Sequence, residues 1–366
     1  MRLFQIGPTG IHESDQWPAQ VQGKGTVWIS CSRAEFEAEH LSIQVHLLAL
    51  CGVQLVDLHV SDLLNAQLPS RYDYTAQYDL LVFRRLTTVG DGAKANDDAA
   101  TPTRRSGPPI LRRINTSPVG FAVFDNVLLS VHPDDCAVRD AYAARLLANA
   151  TDTLRDNGSR LPTSPADLML RIVSQIVDSY LDLRRELTRQ LDHWQAELLA
   201  PNARFTNWSA LLDARLALHT LDDVAEDQRT AIQDWTAALE TWQPTGDSGA
   251  PRELELLKVR SRDVLEHIER VVRHVRRLEQ NAETTVQMHF SAQGHRTNEI
   301  MRTLTVLTAV FLPLNLITGF FGMNFDFLPL VHRQAGIWWT VGTMSLVAAS
   351  LVIVFWRKRY LARTAR

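Results

Sequence analysis

The chain has 366 residues, with 38 Lys and Arg against 41 Asp and Glu and a net charge of −3, enough for more than one domain and a sizeable core. The slightly acidic balance excludes a protein built around non-specific nucleic-acid binding. Three scattered cysteines, Cys31, Cys51 and Cys136, form neither a disulfide framework nor a thiolate zinc site, and read as reduced core residues of a cytosolic compartment.

In chain order, residues 1–160 read as a cytoplasmic α/β domain. Its start, MRLFQIGPTG, has neither the basic region nor the apolar run of a signal peptide, so export of this part is not expected. GTVWISCS, YDLLVFRRL and VGFAVFDNVLLSVHP are apolar, β-branched runs bounded by turn residues, as strands are. SRAEFEAEHLSIQVHLLAL has apolar residues at helical spacing behind a capping serine. Residues 87–109, rich in Gly, Ala, Asp, Thr and Pro, predict a flexible insertion between two strands.

Residues 161–250 read as a cytoplasmic helical hairpin region. Ser164 as N-cap, Pro165 at the first helical position and Asp167 in the first turn mark its opening. QPTGDSGAP closes it. From residue 251 to 322 the pattern is one helix without proline before Pro313. Leu254, Leu257, Val264, Ile268, Val271, Val275, Leu278 and Ala282 make an apolar seam along it. That seam either bundles several copies or packs on helices of its own domain.

Two stretches lack charge altogether, Thr303 to Phe325 and Gln334 to Trp356, and each is as long as the ~20 residues a helix needs to cross a bilayer. Residues 323–336 then form an external loop, 337–357 a second membrane helix, and 358–366 a basic cytoplasmic tail. Arg357, Lys358 and Arg359 follow the second span and Arg296 and Arg302 precede the first, which predicts both termini on the cytoplasmic side of a cytoplasmic (inner) membrane. Trp338, Trp339 and Trp356 stand where interfacial anchors stand. Two spans cannot enclose a water-filled path, so a pore requires a homo-oligomer.

The unusual residues of the first span fall on one line. Asn298, Met301, Thr305, Thr308, Leu312, Asn315, Gly319 and Gly322 are spaced alternately by three and four, one helix face. Polar groups at membrane depth usually face a bundle interior or a water-filled cavity. The stripe therefore reads as a pore lining, and equally admits helix–helix packing through small and hydroxylated residues.

TNEIMRTLTVLTAVFLPLNLITGFFGMNF resembles the end of the first membrane helix in the CorA family of divalent-cation channels. The family signature, Gly-Met-Asn, is Gly322, Met323 and Asn324, preceded by Phe321 where tyrosine is usual. RDVLEH (Arg262 to His267), VSDLLNAQLPSRYDY and LRIVSQIVDSYLDL resemble further family segments in the right order. The resemblance implies a homopentameric funnel: an α/β cytoplasmic domain, and a long stalk helix continuing into a two-helix transmembrane segment. It implies transport of hydrated Mg²⁺, with Co²⁺ or Ni²⁺ as passengers, through a filter of Gly322, Met323 and Asn324. Asn315 forms a second ring, and Leu312, Leu304 and Met301 are hydrophobic constrictions. An amide suits a cation that sheds its waters reluctantly, since it contacts the waters without gripping the ion. The resemblance also implies a regulatory cytosolic metal site on the stalk, with Asp263 as ligand. No cofactor is implied beyond the transported ion.

After the motif the family's Met-Pro-Glu-Leu is replaced by Leu328-Pro329-Leu330-Val331, leaving Asp326 as the loop's acid and a weaker pull on cations. A zinc-transporting branch varies the middle of the motif, and Met323 favours the magnesium side. His267 and His274 are too far apart for a paired metal site, and Arg270, Arg273, Arg276 and Arg277 read as a solvated face or partners of nearby acids. There is no G-x-S-x-G, P-loop or G-x-G-x-x-G, so no enzyme is expected. Three functions stay open: the Mg²⁺ channel, a zinc or transition-metal transporter with proton coupling, and a non-conducting membrane scaffold or sensor.

Overall fold

The computed structural model describes residues 1–7, 10–18, 25–87, 115–152, 161–199, 208–242, 250–323 and 334–357. The 87–109 insertion, beyond Thr87, falls outside the described residues, as do Asn324 and the loop that follows it. The chain divides into two compact units, Met1–Glu283 and Thr284–Arg366.

The first unit is organised by the apolar runs. Strands β1 (Arg2–Gly7), β2 (Gly10–Ser14), β3 (Thr26–Ser32), β4 (Arg71–Tyr74), β5 (Asp79–Leu86), β6 (Thr116–Val123) and β7 (Val127–His132) form one sheet in the order β2-β1-β3-β7-β6-β5-β4. Only the central β3–β7 pair is parallel; every other pairing is antiparallel. Nearly every residue of β3 and β7 is buried, so both faces are covered, which explains why these strands read as unbroken apolar runs.

On one face lie helices α1 (Arg33–Cys51) and α2 (Asp57–Leu64), where Phe36, Ile43, Leu47 and Leu63 pack with Val27, Ile29, Cys31, Leu129 and Val131. Ser32 caps α1: its hydroxyl accepts from the Glu35 N–H at 3.1 Å while the Glu35 carboxylate accepts from the Ser32 N–H at 2.7 Å. At Gly120 in β6 an added Cβ would meet Leu63 Cδ2 at 2.2 Å, so a larger residue there would force the Leu63 side chain of α2 to shift.

The other face carries α3 (Ala137–Asp152), α4 (Pro165–Leu199) and α5 (Trp208–Thr241). The Ser164 hydroxyl accepts from the Asp167 N–H at 3.3 Å, the predicted cap of α4. Asp167 is fully buried and pairs with Arg171 at 3.1 Å and with Arg260 of α6 (Ala250–Phe321) at 2.5 Å. A buried carboxylate held by two guanidiniums is satisfied as a unit; removal of one partner would leave an unpaired buried charge. A second buried pair joins Arg85 to Asp135.

The apolar seam of α6 resolves in favour of packing on its own domain. Leu257, Val264, Ile268, Val271, Val275 and Leu278 are buried within the single chain. Trp235 of α5 donates to Ser261 at 3.0 Å, and Arg276 pairs with Asp222 at 3.2 Å and with Glu226. The seam is consumed by α4 and α5, so it does not remain as a surface for bundling copies. The sequence admitted both outcomes because a heptad-like stripe fits a partner helix from either source.

Candidate functional site

In the second unit, α6 beyond Thr284 and α7 (Gln334–Arg357) are both long and apolar enough to cross a membrane, and almost none of their most apolar stretches is buried. On α6 the shielded residues are Val306, at 6% exposure, with half-buried Ala309, Val310, Pro313, Leu314, Ile317 and Phe321. They recur at three- and four-residue steps and so occupy one face. On α7 Thr340, Met344, Val347, Ala348, Leu351 and Phe355 form the equivalent half-buried face.

The stripe is elsewhere. Asn298, Met301, Leu304, Thr305, Thr308, Leu312, Asn315 and Gly319 are all exposed. At roughly 100° per residue their mean direction lies about 160° from that of the shielded face. Gly322 and Met323, also exposed, close the helix: the Gly322 N–H donates to the Thr318 carbonyl at 2.9 Å and the Met323 N–H to Phe320 at 3.4 Å. The bare surface of α7 is different in kind. Ile337, Trp338, Trp339, Leu346 and Trp356 are its exposed large side chains, and a lipid solvent covers such groups without cost. A lipid solvent does not cover asparagine and threonine cheaply.

Local chemistry sets what the stripe presents. Thr305 donates its hydroxyl to the Met301 carbonyl at 2.7 Å and Thr308 to Leu304 at 2.9 Å. With the O–H spent on the backbone, each side chain shows outward only oxygen lone pairs. Thr318, which the sequence reading did not single out, does the same, donating to Leu314 at 3.1 Å and Asn315 at 3.0 Å. Pro313 has no N–H for the Ala309 carbonyl, one more acceptor left over at mid-helix. A Cβ at Gly319 would meet nothing within 4 Å, whereas one at Gly322 would come to 3.0 Å from the Thr318 carbonyl. An added methyl is therefore free at the first glycine and presses on the helix end at the second.

Asp263 lies on α6 in the first unit, apart from the stripe in sequence, with its side chain 64% exposed. His267 lies 3.8 Å from it, and the other ring nitrogen of His267 is 3.6 Å from Asp178 of α4. Lys258, a possible partner by spacing, pairs instead with Glu255 at 3.6 Å. Among the described residues no group of three or more His, Cys, Asp or Glu converges to hold a metal. Asp178, 85 positions upstream of Asp263, carried no signal in the sequence that would place it there. His274 accepts a structural role, its ring 3.1 Å from the Thr188 hydroxyl. The basic band is matched by acids: Arg270 with Glu266 at 2.6 Å and Arg273 with Glu269 at 3.2 Å. The Arg270 hydrogen bond holds the Glu266 carboxyl below its ordinary range.

The chain thus combines a sheet-based unit with two helices long and apolar enough to cross a membrane, the first of them part of a 72-residue helix. The profile of the family described as "CorA-like Mg2+ transporter protein" matches residues 23–359, and the chain belongs to that family. Among its relatives, the cobalt/magnesium transport protein CorA of Thermotoga maritima is 29% identical over 100 residues, 27% of this chain and 28% of that protein. The putative metal ion transporter YfjQ of Bacillus subtilis is 25% identical over 217 residues, 58% of this chain and 63% of the relative. The magnesium transport protein CorA of Haemophilus influenzae is 31% identical over 153 residues, 40% and 45% of the two chains. Each match spans less than two thirds of the relative's length. The fold is shared along the whole chain with the complete CorA magnesium transporter of Methanocaldococcus jannaschii, at TM-score 0.68 and 19% identity over 100% of this chain and 98% of that one. Full-length CmaX has the same fold, at TM-score 0.67 and 17% identity over 98% and 97%.

Proposed function

We propose that the chain is one subunit of a membrane channel for hydrated divalent cations, Mg²⁺ first, with Co²⁺ and Ni²⁺ as passengers. The observation that carries this reading is the polar stripe of α6, bare on the side opposite the shielded face and lined by threonines whose hydroxyl hydrogens are already committed to the backbone. A hydrated cation presents water hydrogens outward, so a wall that lets it pass must accept hydrogen bonds rather than donate them. Lone pairs of Thr305 and Thr308 and the amide oxygen of Asn315 meet that need without the grip of a carboxylate, and weak multiple contacts permit exit. Gly322, Met323 and Asn324 form the filter at the outer end, and Met301, Leu304 and Leu312 the apolar constrictions that gate by dewetting. Asn298 stands at the inner end.

One chain supplies only one such face, so the pathway requires a ring of copies, five by family resemblance. Both termini lie on the cytoplasmic side of the inner membrane, with the basic tail after α7 fixing the orientation. Asp263, beside His267 and Asp178, is the proposed regulatory ligand, completed by an acid of a neighbouring copy. Passage is driven by the membrane potential.

The test is metal entry into liposomes carrying the purified protein, read with Mg²⁺-, Zn²⁺- and pH-sensitive dyes, wild type beside Asn324→Ala. Mg²⁺ entry without a pH signal, lost by about tenfold or more in the variant, is the expected result. Zn²⁺ entry accompanied by protons would move the protein to the zinc branch. No flux from a folded, oligomeric preparation would leave a scaffold.

A further inference from the structure

The first unit contains a cleft that neither the ion pathway nor the regulatory acid uses. It lies between the β4–β5 hairpin, the start of α4, the end of α5 and the first turns of α6, with a volume of about 1060 Å³, at the upper end of small-molecule sites. Among its described lining residues are five carboxylates, Asp73, Asp79, Asp125, Asp234 and Glu253, and no Lys, Arg or His. Two of the five are engaged: Asp73 by Arg71 at 2.8 Å and Asp79 by the Tyr72 hydroxyl at 2.6 Å. Among the described residues no cation stands within ion-pair distance of Asp125, Asp234 or Glu253.

The same cleft is aromatic. Tyr72 stacks on Tyr74 with ring centroids 6.1 Å apart, yet Tyr74 remains 69% exposed. Trp242, 42% exposed, lines the cleft and packs edge-on against Trp235 at 6.1 Å. Open aromatic faces beside unneutralised carboxylates attract cations that carry hydrocarbon, because the ring quadrupole and the apolar stem act together. A bare divalent ion needs something else: several oxygens converging on one point. The cleft's acids do not converge, since no group of three metal-capable side chains occurs among the described residues. Acids that do not converge, in a cleft that also exposes aromatic surface, match separate charges joined by methylenes.

The geometry points to this cleft as a binding site for a linear aliphatic polyamine, its ammonium groups on Asp125, Asp234 and Glu253 and its methylene stretches against Tyr74 and Trp242. The site is independent of the proposed channel function and stands or falls without it.

The experiment is titration calorimetry of the full-length protein in detergent with spermine as probe, in a large molar excess of Mg²⁺. The expected result is saturable binding, one spermine per chain, that Mg²⁺ does not displace. Asp234→Asn combined with Glu253→Gln weakens it by about tenfold. Trp242→Leu weakens it by about fivefold and Trp242→Phe, which keeps an aromatic face, restores most of it. These side chains lie on the rim, so thermal melts of the variants should match wild type. Displacement of spermine by Mg²⁺ in proportion to charge would overturn the proposal, as would affinity unchanged by both sets of substitutions. Tighter binding of a lysine-rich peptide, sensitive to the same substitutions, would overturn the assignment to a free amine.

Discussion

The two units place their polar groups in opposite ways. In the sheet unit, several polar side chains that enter the interior find partners inside the same chain, while a few buried atoms, Ser30 Oγ and His132 Nδ1 among them, have no hydrogen-bond partner among the described residues. The Trp28 indole donates to Ser130 Oγ at 2.8 Å, and the same oxygen is 2.9 Å from His132 Nε2, all three residues fully buried. Arg85 has Asp135, and Asp167 has two arginines. In the second unit the apolar residues shield one another on one face, while Asn298, Thr305, Thr308 and Asn315 point outward from the other. The first arrangement finds these partners within a single chain. The second is completed only by something outside it, and at membrane depth that means water or another copy. The contrast separates residues that hold the fold from residues that nothing in their own unit covers.

Truncation inside the sheet unit has the largest expected effect. Trp28→Ala removes a fully buried indole stacked on Phe4 at 4.7 Å and leaves Ser130 without its donor, so a loss of about 3–5 kcal/mol is expected. Chemical denaturation of the full chain followed by circular dichroism measures it.

Acid probes the same network. Burial is the main force pushing the His132 pKa down to about 3, helped by the nearby Arg139 and Arg85 charges. The unfolded chain, with an ordinary histidine, binds a proton that the folded ring refuses. The stability due to neutral His132 is therefore present above pH ~6.5 and is lost as the pH falls towards 3, on the order of 3 kcal/mol by pH ~4. Denaturation midpoints measured across that range should flatten in His132→Phe, and an identical slope in wild type and variant would remove His132 from the account.

The smallest effect on stability belongs to the stripe. Thr308→Val on the bare face should shift the melting midpoint by the equivalent of less than ~0.5 kcal/mol, because the residue is exposed and its hydroxyl bonds only locally, to the Leu304 carbonyl one turn back. The same change should lower Mg²⁺ entry several-fold by removing one acceptor ring. A stability loss as large as that of Trp28→Ala would make Thr308 a packing residue.

Much of this was legible in the chain. Strands β3, β5, β6 and β7 announced themselves by β-branched runs, α1 and α4 by their caps, and the membrane helices by the absence of charge. Strands β1, β2 and β4 were not singled out, since RLFQIG, GIHES and RYDY mix polar and apolar residues, and β2 and β4 are the edges of the sheet. The stripe's line was visible from spacing alone. Which side of α6 is shielded was not, because that depends on residues such as Val306 and Ile317 that look like any others in an apolar run. Long-range neighbours such as Asp178 and His267 carry no local pattern, so the surroundings of Asp263 had to come from the fold.

The most direct test of the division between the faces is water access along α6. Cysteines would be placed singly at Asn315, on the stripe, and at Ile317, on the shielded face, in a full-length background with Cys31, Cys51 and Cys136 replaced by serine or alanine. A membrane-impermeant thiol reagent is then applied to the protein in liposomes. The account predicts rapid modification of Asn315→Cys, slowed by Mg²⁺, and at least about a hundredfold slower modification of Ile317→Cys, since a thiol reacts only as the hydrated thiolate. Equal rates at the two positions, or no reaction at Asn315→Cys, would contradict a water-lined polar face.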